Sequence, residues 1–146
     1  MNYWVESGAP KSKLVMGMPL YGQSFTLTKA DNHGLNAAAK SGGTAGVATR
    51  AKGFLAYHEI CRLVKKGWTV VQDEAKRMGP YAYNGNQWVG YDDKAMIAQK
   101  CNYVRDEGFG GGMVWALDLD DFRNLCGEGA YPLMNVMREI LGPAKK

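Results

Sequence analysis

The residues in this sequence that could carry out chemistry are few, and most of them have a plainer reading. Its three cysteines, Cys61, Cys101 and Cys126, include no Cys-x-x-Cys pair. That spacing argues against a zinc ribbon or a thioredoxin-type redox motif. An odd count is met equally by one disulfide plus a thiol or by three thiols. Asp118, Asp120 and Asp121 crowd together as cation ligands would, but no EF-hand glycine or closing glutamate follows them. Capping and turn duties suit them better. Gly108-Phe109-Gly110-Gly111-Gly112 has the glycine density of a dinucleotide loop, yet it precedes an apolar run instead of following one. His33 and His58 stand alone, and surface positions are expected for both. Neither a metal nor a cofactor is expected.

Composition narrows the classes further. The 146 residues are 46% hydrophobic and 22% charged, a globular balance that leaves little room for long disorder. The length suits one compact domain. Net charge is +4, but Lys and Arg are scattered instead of forming the basic face or stripe of a nucleic-acid binder. No apolar run approaches the roughly 18 residues of a membrane-spanning helix. Met1-Asn2-Tyr3-Trp4 lacks the charged-then-apolar pattern of a secretory leader. That leaves the compartment open, because a chain can begin partway through a longer one. A helix stopped by Gly8 and Pro10 has little room to start, a first hint of such a beginning.

The elements that would position these residues follow from pattern. Leu14–Tyr21 is an apolar run suited to a strand buried on both faces, ending near Pro19. Residues 28–53, rich in Gly, Ala, Ser, Thr and Asn, read mostly as loop. Phe54–Lys66 reads as a helix with Leu55, Ile60, Cys61 and Val64 on its apolar side. Trp68–Val71, Pro80–Tyr83 and Gln87–Tyr91 read as antiparallel strands, the last two joined at Asn84-Gly85, the favoured dipeptide of a tight hairpin. Trp68 and Trp88 are expected to pack this sheet. Asp92 or Asp93 caps the next helix, with Ile97, Cys101 and Val104 as its buried stripe. Met113–Leu117 reads as a second buried strand, and Leu133, Val136, Met137 and Ile140 mark a last amphipathic helix. The outer segments follow α/β logic with parallel strands, interrupted by an antiparallel α+β insertion.

Four blocks carry a family resemblance. Ser12–Phe25 (Ser-Lys-Leu-Val-Met-Gly-Met-Pro-Leu-Tyr-Gly-Gln-Ser-Phe) resembles the seventh barrel strand of family-18 glycoside hydrolases, the chitinases. Gly53–Cys61 and Asn86–Asp93 resemble their α+β insertion domain. Gly111–Phe122, with Trp-Ala-Leu-Asp-Leu-Asp-Asp-Phe, resembles the eighth strand and its exit, and is the most specific block. The order and spacing are those of the family, and the likeness is greatest to arthropod multi-domain chitinases. The implied fold is α/β: the last two strands and helices of a (β/α)8 barrel, interrupted by the insertion domain and incomplete in this chain. The implied divisions are 1–22 for the helix end and seventh strand, 23–92 for the insertion, and 93–146 for the remaining barrel elements.

What the resemblance implies about function is specific. The family's acid motif, Asp-x-x-Asp-x-Asp-x-Glu, does not occur here, since Asp118-Leu119-Asp120-Asp121-Phe122 has no Glu two places past Asp120. No catalytic residue is therefore expected in this chain, and it should be inactive alone. The complete domain would hydrolyse β-1,4 links in chitin by a substrate-assisted, retaining route. Trp115 and Met113 match the floor beneath the reacting sugar, where an indole offers a flat apolar face and one N–H donor. Tyr21 matches a tyrosine at the end of the seventh strand. Gln23 stands where many members carry Arg, and keeps hydrogen bonding without charge. Phe54 matches an apolar cleft wall, while Ala51 replaces a sugar-contacting Glu. Cys61 and Cys126 match two cysteines that pair in animal relatives, implying a secreted parent. Cys101 is left as a buried, inert thiol. Expected partners are chitin or chito-oligosaccharides, with a non-catalytic chitin-binding (lectin-like) module as the alternative. Self-association through exposed strand edges is expected as well.

Overall fold

Two sheets, joined through a single residue, organise the chain in the computed structural model, which describes residues 1–143. In chain order the elements are α1 (Asn2–Glu6), β1 (Val15–Pro19), β2 (Tyr21–Leu27), β3 (Ala39–Gly42), β4 (Phe54–Ala56), α2 (Tyr57–Lys65), β5 (Thr69–Val71), β6 (Tyr81–Asn84), β7 (Gln87–Tyr91), α3 (Lys94–Asp106), β8 (Gly111–Trp115) and α4 (Pro132–Leu141). No helix among the described residues is long and apolar enough to cross a membrane.

The smaller sheet is the parallel pair β1 and β8, in register from Val15 opposite Gly111 to Pro19 opposite Trp115. Its helix-facing side packs on α3 and α4. There Leu14, Met18, Ile97, Cys101, Val104, Phe109, Leu133 and Met137 form the main core. The other side is open. Val15 (53% exposed), Met113 (49%) and Trp115 (66%) project from it into solvent. The expectation that both apolar runs are buried on both faces is therefore corrected. Side chains alternate across a strand, and helices cover only one side of this pair.

The larger sheet runs β3-β2-β7-β6-β5, with β4 also on β2, and all its pairings are antiparallel. Its inner face packs Leu55, Ala82 and Val89 under Ile60 of α2, with Leu63, Val64 and Trp68 against them. Gly22 crosses this layer where a Cβ would meet Val89 Cγ2 at 2.6 Å and Ile60 Cδ1 at 2.8 Å, so no larger residue fits. Three sequence expectations shift. Residues 54–56 are strand, not helix, because pairing with β2 claims them first. Ala39–Gly42 within the expected loop adds an edge strand. The hairpin loop is Gly85–Asn86, one residue later than expected: Asn84 still pairs with Gln87, and Gly85 supplies the positive φ of 55°.

Leu20, fully buried, joins the two sheets. Its N–H donates to the Trp115 carbonyl at 3.0 Å, and its own carbonyl accepts from the Tyr57 N–H at 3.0 Å. One residue thus fixes the end of β8 against the start of α2. A disulfide, Cys61–Cys126, adds a covalent tie between α2 and the segment after β8. Cys101 is a free buried thiol, as its place on the helix stripe implies.

Candidate functional site

The residues singled out from the sequence are divided between the two sheets: Met113 and Trp115 lie on β8 of the parallel pair, and Tyr21, Gln23 and Phe54 on β2 and β4 of the larger sheet. Trp115 is the last residue of β8, and Met113 lies two places earlier on the same open face. Register and the Leu20 hydrogen bond bring Trp115 next to the entry of β2, where Tyr21 begins the second sheet. The Trp115–Ala116 peptide is cis. Tyr21 and Phe54 lie on adjacent antiparallel strands, and their rings meet at 4.8 Å between centroids. Gln23 is paired with Phe54 on one side and Gly90 on the other, and its side chain is exposed.

Tyr21 and Phe54 each line a groove of their own. Tyr21 and Gln23 line a cavity of about 370 Å³ with Pro19, Tyr81, Trp88 and Tyr91. Phe54 and Ala51 line another, of about 590 Å³, with Thr49, His58, Asp118 and Phe122. Trp115 and Met113 line neither, and stand on the open face of β8.

Sequence reasoning missed the aromatic row on the outer face of the larger sheet. Trp88 stacks on Tyr81 with centroids 5.2 Å apart and lies 6.0 Å from Phe25. The alternation of Tyr81, Tyr83 and Trp88 along their strands was the available signal. Trp88 therefore packs the sheet's outer face, and Trp68 the inner one. The two histidines, expected at surface positions, are half-buried beside aromatic rings. His33 stacks on Tyr83 at 3.7 Å, and His58 meets Phe122 edge-on at 6.2 Å with its Nδ1 buried.

The acidic cluster has structural partners. Asp120 accepts from the amides of Asp121, Leu133 and Met134, and so satisfies the first turn of α4 from outside the helix. Burial raises its carboxyl above the ordinary value, although those amides pull the other way. Asp121 accepts from Leu125 and Cys126. The ligand atoms of Cys61, Asp121 and Cys126 lie within 4.8 Å of one another. However, the two sulfurs are bonded to each other and the carboxylate is held by amides, the makings of a covalent knot and not of a thiolate metal site.

Two phenols at the junction titrate late. Burial is the main cause in Tyr91, with Asp93 and Glu128 adding to it, and pushes its pKa up to about 12. Burial, then Glu128, also drives Tyr57 upward.

The profile of glycosyl hydrolases family 18 matches residues 1–120. The chain belongs to that family. It is 59% identical over 142 residues to probable chitinase 10 of Drosophila melanogaster, covering 97% of this chain and 6% of that protein. It is 48% identical over 145 residues to an oviduct-specific glycoprotein of Papio anubis, covering 97% and 22%. Among solved structures, catalytic domain 2 of an Ostrinia furnacalis group II chitinase, in complex with an N-acetylated chito-oligosaccharide, superposes with a TM-score of 0.94 at 48% identity. That match covers 96% of this chain and 37% of the solved one. Human YKL-39, described as a pseudo-chitinase with retained chitooligosaccharide binding, gives 0.90 at 42% identity, covering 97% and 38%. The chain thus spans less than two fifths of the length of either family-18 structure.

Proposed function

We propose that this chain supplies part of a chito-oligosaccharide cleft, with Trp115 and Met113 as its floor and Tyr21, Gln23 and Phe54 as one wall. The observation that carries this reading is the exposed indole of Trp115 at the end of β8, tied through Leu20 to the strand that begins with Tyr21. An indole in that position gives a sugar ring an apolar platform and one hydrogen-bond donor. The chito-oligosaccharide bound to the Ostrinia relative supports the ligand class.

On this reading β1 and β8 are the seventh and eighth strands of an eight-stranded barrel, and residues 23–92 form its insertion domain between the barrel segments 1–22 and 93–146. The open face with Val15, Met113 and Trp115 is then the side that faces the barrel axis. The general acid comes from polypeptide outside this sequence, and the complete domain hydrolyses β-1,4 links between N-acetylglucosamine units with help from the substrate's acetamido group. The protein acts in an oxidising, extracellular compartment, where Cys61–Cys126 persists. Two strands with unpaired edges and an uncovered face also favour self-association of the chain alone.

Calorimetric titration with chitopentaose tests the reading. Binding is expected at about millimolar strength, because a partial cleft buries little ligand surface. Trp115→Ala is expected to weaken it about tenfold, the scale of one lost aromatic contact. Turnover of a fluorogenic chito-oligosaccharide by this chain would overturn the placement of the acid elsewhere. Unchanged affinity in Trp115→Ala would overturn the floor. A lectin-like role is the second reading, favoured by the retained binding described for the human pseudo-chitinase.

A further inference from the structure

The loop between β8 and α4 carries a triplet that the preceding subsections leave without a role. We propose that Asn124 is a site of N-linked glycosylation, and that it can be modified only while Cys126 is still a thiol. The triplet is Asn124-Leu125-Cys126. Its third place holds Cys where the common acceptor triplet holds Ser or Thr. No Asn-x-Ser or Asn-x-Thr occurs among the 146 residues, so Asn124 stands alone as a candidate. The inference rests on the extracellular reading above, because the transfer takes place in the lumen of the secretory pathway.

The chemistry is a substitution at a sugar carbon. The Asn124 Nδ2 forms a bond to the anomeric carbon of a lipid-linked oligosaccharide pyrophosphate. The bond from that carbon to the pyrophosphate oxygen breaks, and one amide proton goes to a base of the transferase. An amide nitrogen is a weak nucleophile, since its lone pair is shared with the carbonyl. The acceptor must therefore be held firmly, and the third side chain contributes by donating a hydrogen bond. A thiol is a weak donor and can do this, whereas a disulfide sulfur has no hydrogen to give.

The structure treats the two ends of the triplet oppositely. Asn124 is exposed at a left-handed turn with a φ of 54°, a conformation that Asn tolerates. Its Oδ1 accepts from the Gly129 N–H at 2.8 Å, while its Nδ2 donates no hydrogen bond among the described residues. The loop is ordered instead by Asp121, which accepts from the Leu125 and Cys126 amides. A sugar on Nδ2 therefore breaks none of the contacts that shape the loop. Cys126, in contrast, is 4% exposed and bonded to Cys61. The folded chain can display the glycan but cannot accept it, so the sugar must come first and the sulfur bond second. Disulfides take seconds to hours to form, which leaves a newly made Cys126 a thiol for that interval. Arg123 and Leu125, on either side of Asn124, line the groove that Phe54 shares, so the glycan would stand at its rim.

The full chain, sent into the secretory lumen of cultured eukaryotic cells by a removable leader, provides the test. Enzymatic release of N-glycans reads modification as a loss of mass on a gel, and peptide mass spectrometry reads its position. The native chain should be modified in part. Cys61→Ser leaves Cys126 unpaired and should raise the modified fraction severalfold. Cys126→Ser puts a stronger donor in the third place and should raise it further. Asn124→Gln and Cys126→Ala should each abolish it. None of these readouts requires a folded product, since transfer precedes folding. The proposal is overturned if both the native chain and Cys61→Ser lack the glycan, or if a glycan survives Asn124→Gln. Equal occupancy in the disulfide-bonded native chain and in Cys61→Ser would overturn the dependence on the thiol. Mobility without reductant reads the bond separately. A secreted native chain with Cys61 and Cys126 both reduced would count against the extracellular reading instead, and Cys61→Ser would still decide the acceptor.

Discussion

Glu59 is the residue on which most of the local order around α2 depends. Its carboxylate receives the Ala56 N–H at the start of α2 and three donors from Ala48 and Thr49, so it caps the helix and pins the loop together. Burial pushes its pKa upward, but the Ala48, Ala56 and Thr49 hydrogen bonds outweigh this and leave it below the ordinary value. A carboxyl depressed in the fold stabilises above its unfolded pKa of 4.5, and that contribution is lost as pH falls through the folded value. Thermal melts from neutral pH downward should therefore lose stability below about pH 4.5, and Glu59→Gln should flatten that slope while costing about 1–3 kcal/mol at pH 7. Tyr91 has the opposite sign. Its raised pKa adds stability below 10 that disappears as pH rises through about 12, so absorbance titration at the phenolate band should find it ionising late. Cys101 is fully buried and its thiol is pushed up by burial. A thiol-specific reagent should leave it unlabelled in the folded chain and label it after unfolding. Burial of Cys101 could be read from the Ile97-Cys101-Val104 stripe, whereas the role of Glu59 could not. Its partners Ala48 and Thr49 lie in a loop whose path no periodicity encodes.

Among the elements, legibility follows how local the determining contacts are. Helix α3 was readable because its cap and stripe are internal to it: Asp93 accepts from the Met96 N–H, and Ile97, Cys101 and Val104 recur at helical spacing. The segment 54–56 was misread because β2, some thirty residues earlier in sequence, captures it as a strand. The exposure of Met113 and Trp115 was equally hidden, since an apolar strand does not declare how many layers cover it. The Tyr81, Tyr83 and Trp88 row shows the reverse case, a period-two signal present in the sequence and passed over. The Cys61–Cys126 bond joins two elements that share no strand pairing and closes a separation of 65 residues. In the chain-entropy account its removal should cost about 4 kcal/mol. Cys126→Ser should lower the denaturant midpoint accordingly, and a reducing agent should do the same to the native chain.

For the molecule as a whole, the open side of the parallel pair is the dominant feature. Val15, Met113 and Trp115 present apolar surface to water, and each strand of the pair has a partner along one edge only among the described residues. Such a surface favours association. Light scattering should find this chain larger than a monomer, and Val15→Lys with Met113→Lys should return it toward monomer without disturbing the core formed by Leu14, Met18 and Leu133.

The bond between Cys61 and Cys126 also governs what a single cut would do. Lys76 and Arg77 are exposed on the stretch between β5 and β6, inside the ring that the bond closes. Trypsin nicking there would leave both pieces travelling as one band on a gel without reductant, and they would part only when thiol is added. Sequence on either side of the nick would stay joined by sulfur after the peptide chain itself had been severed.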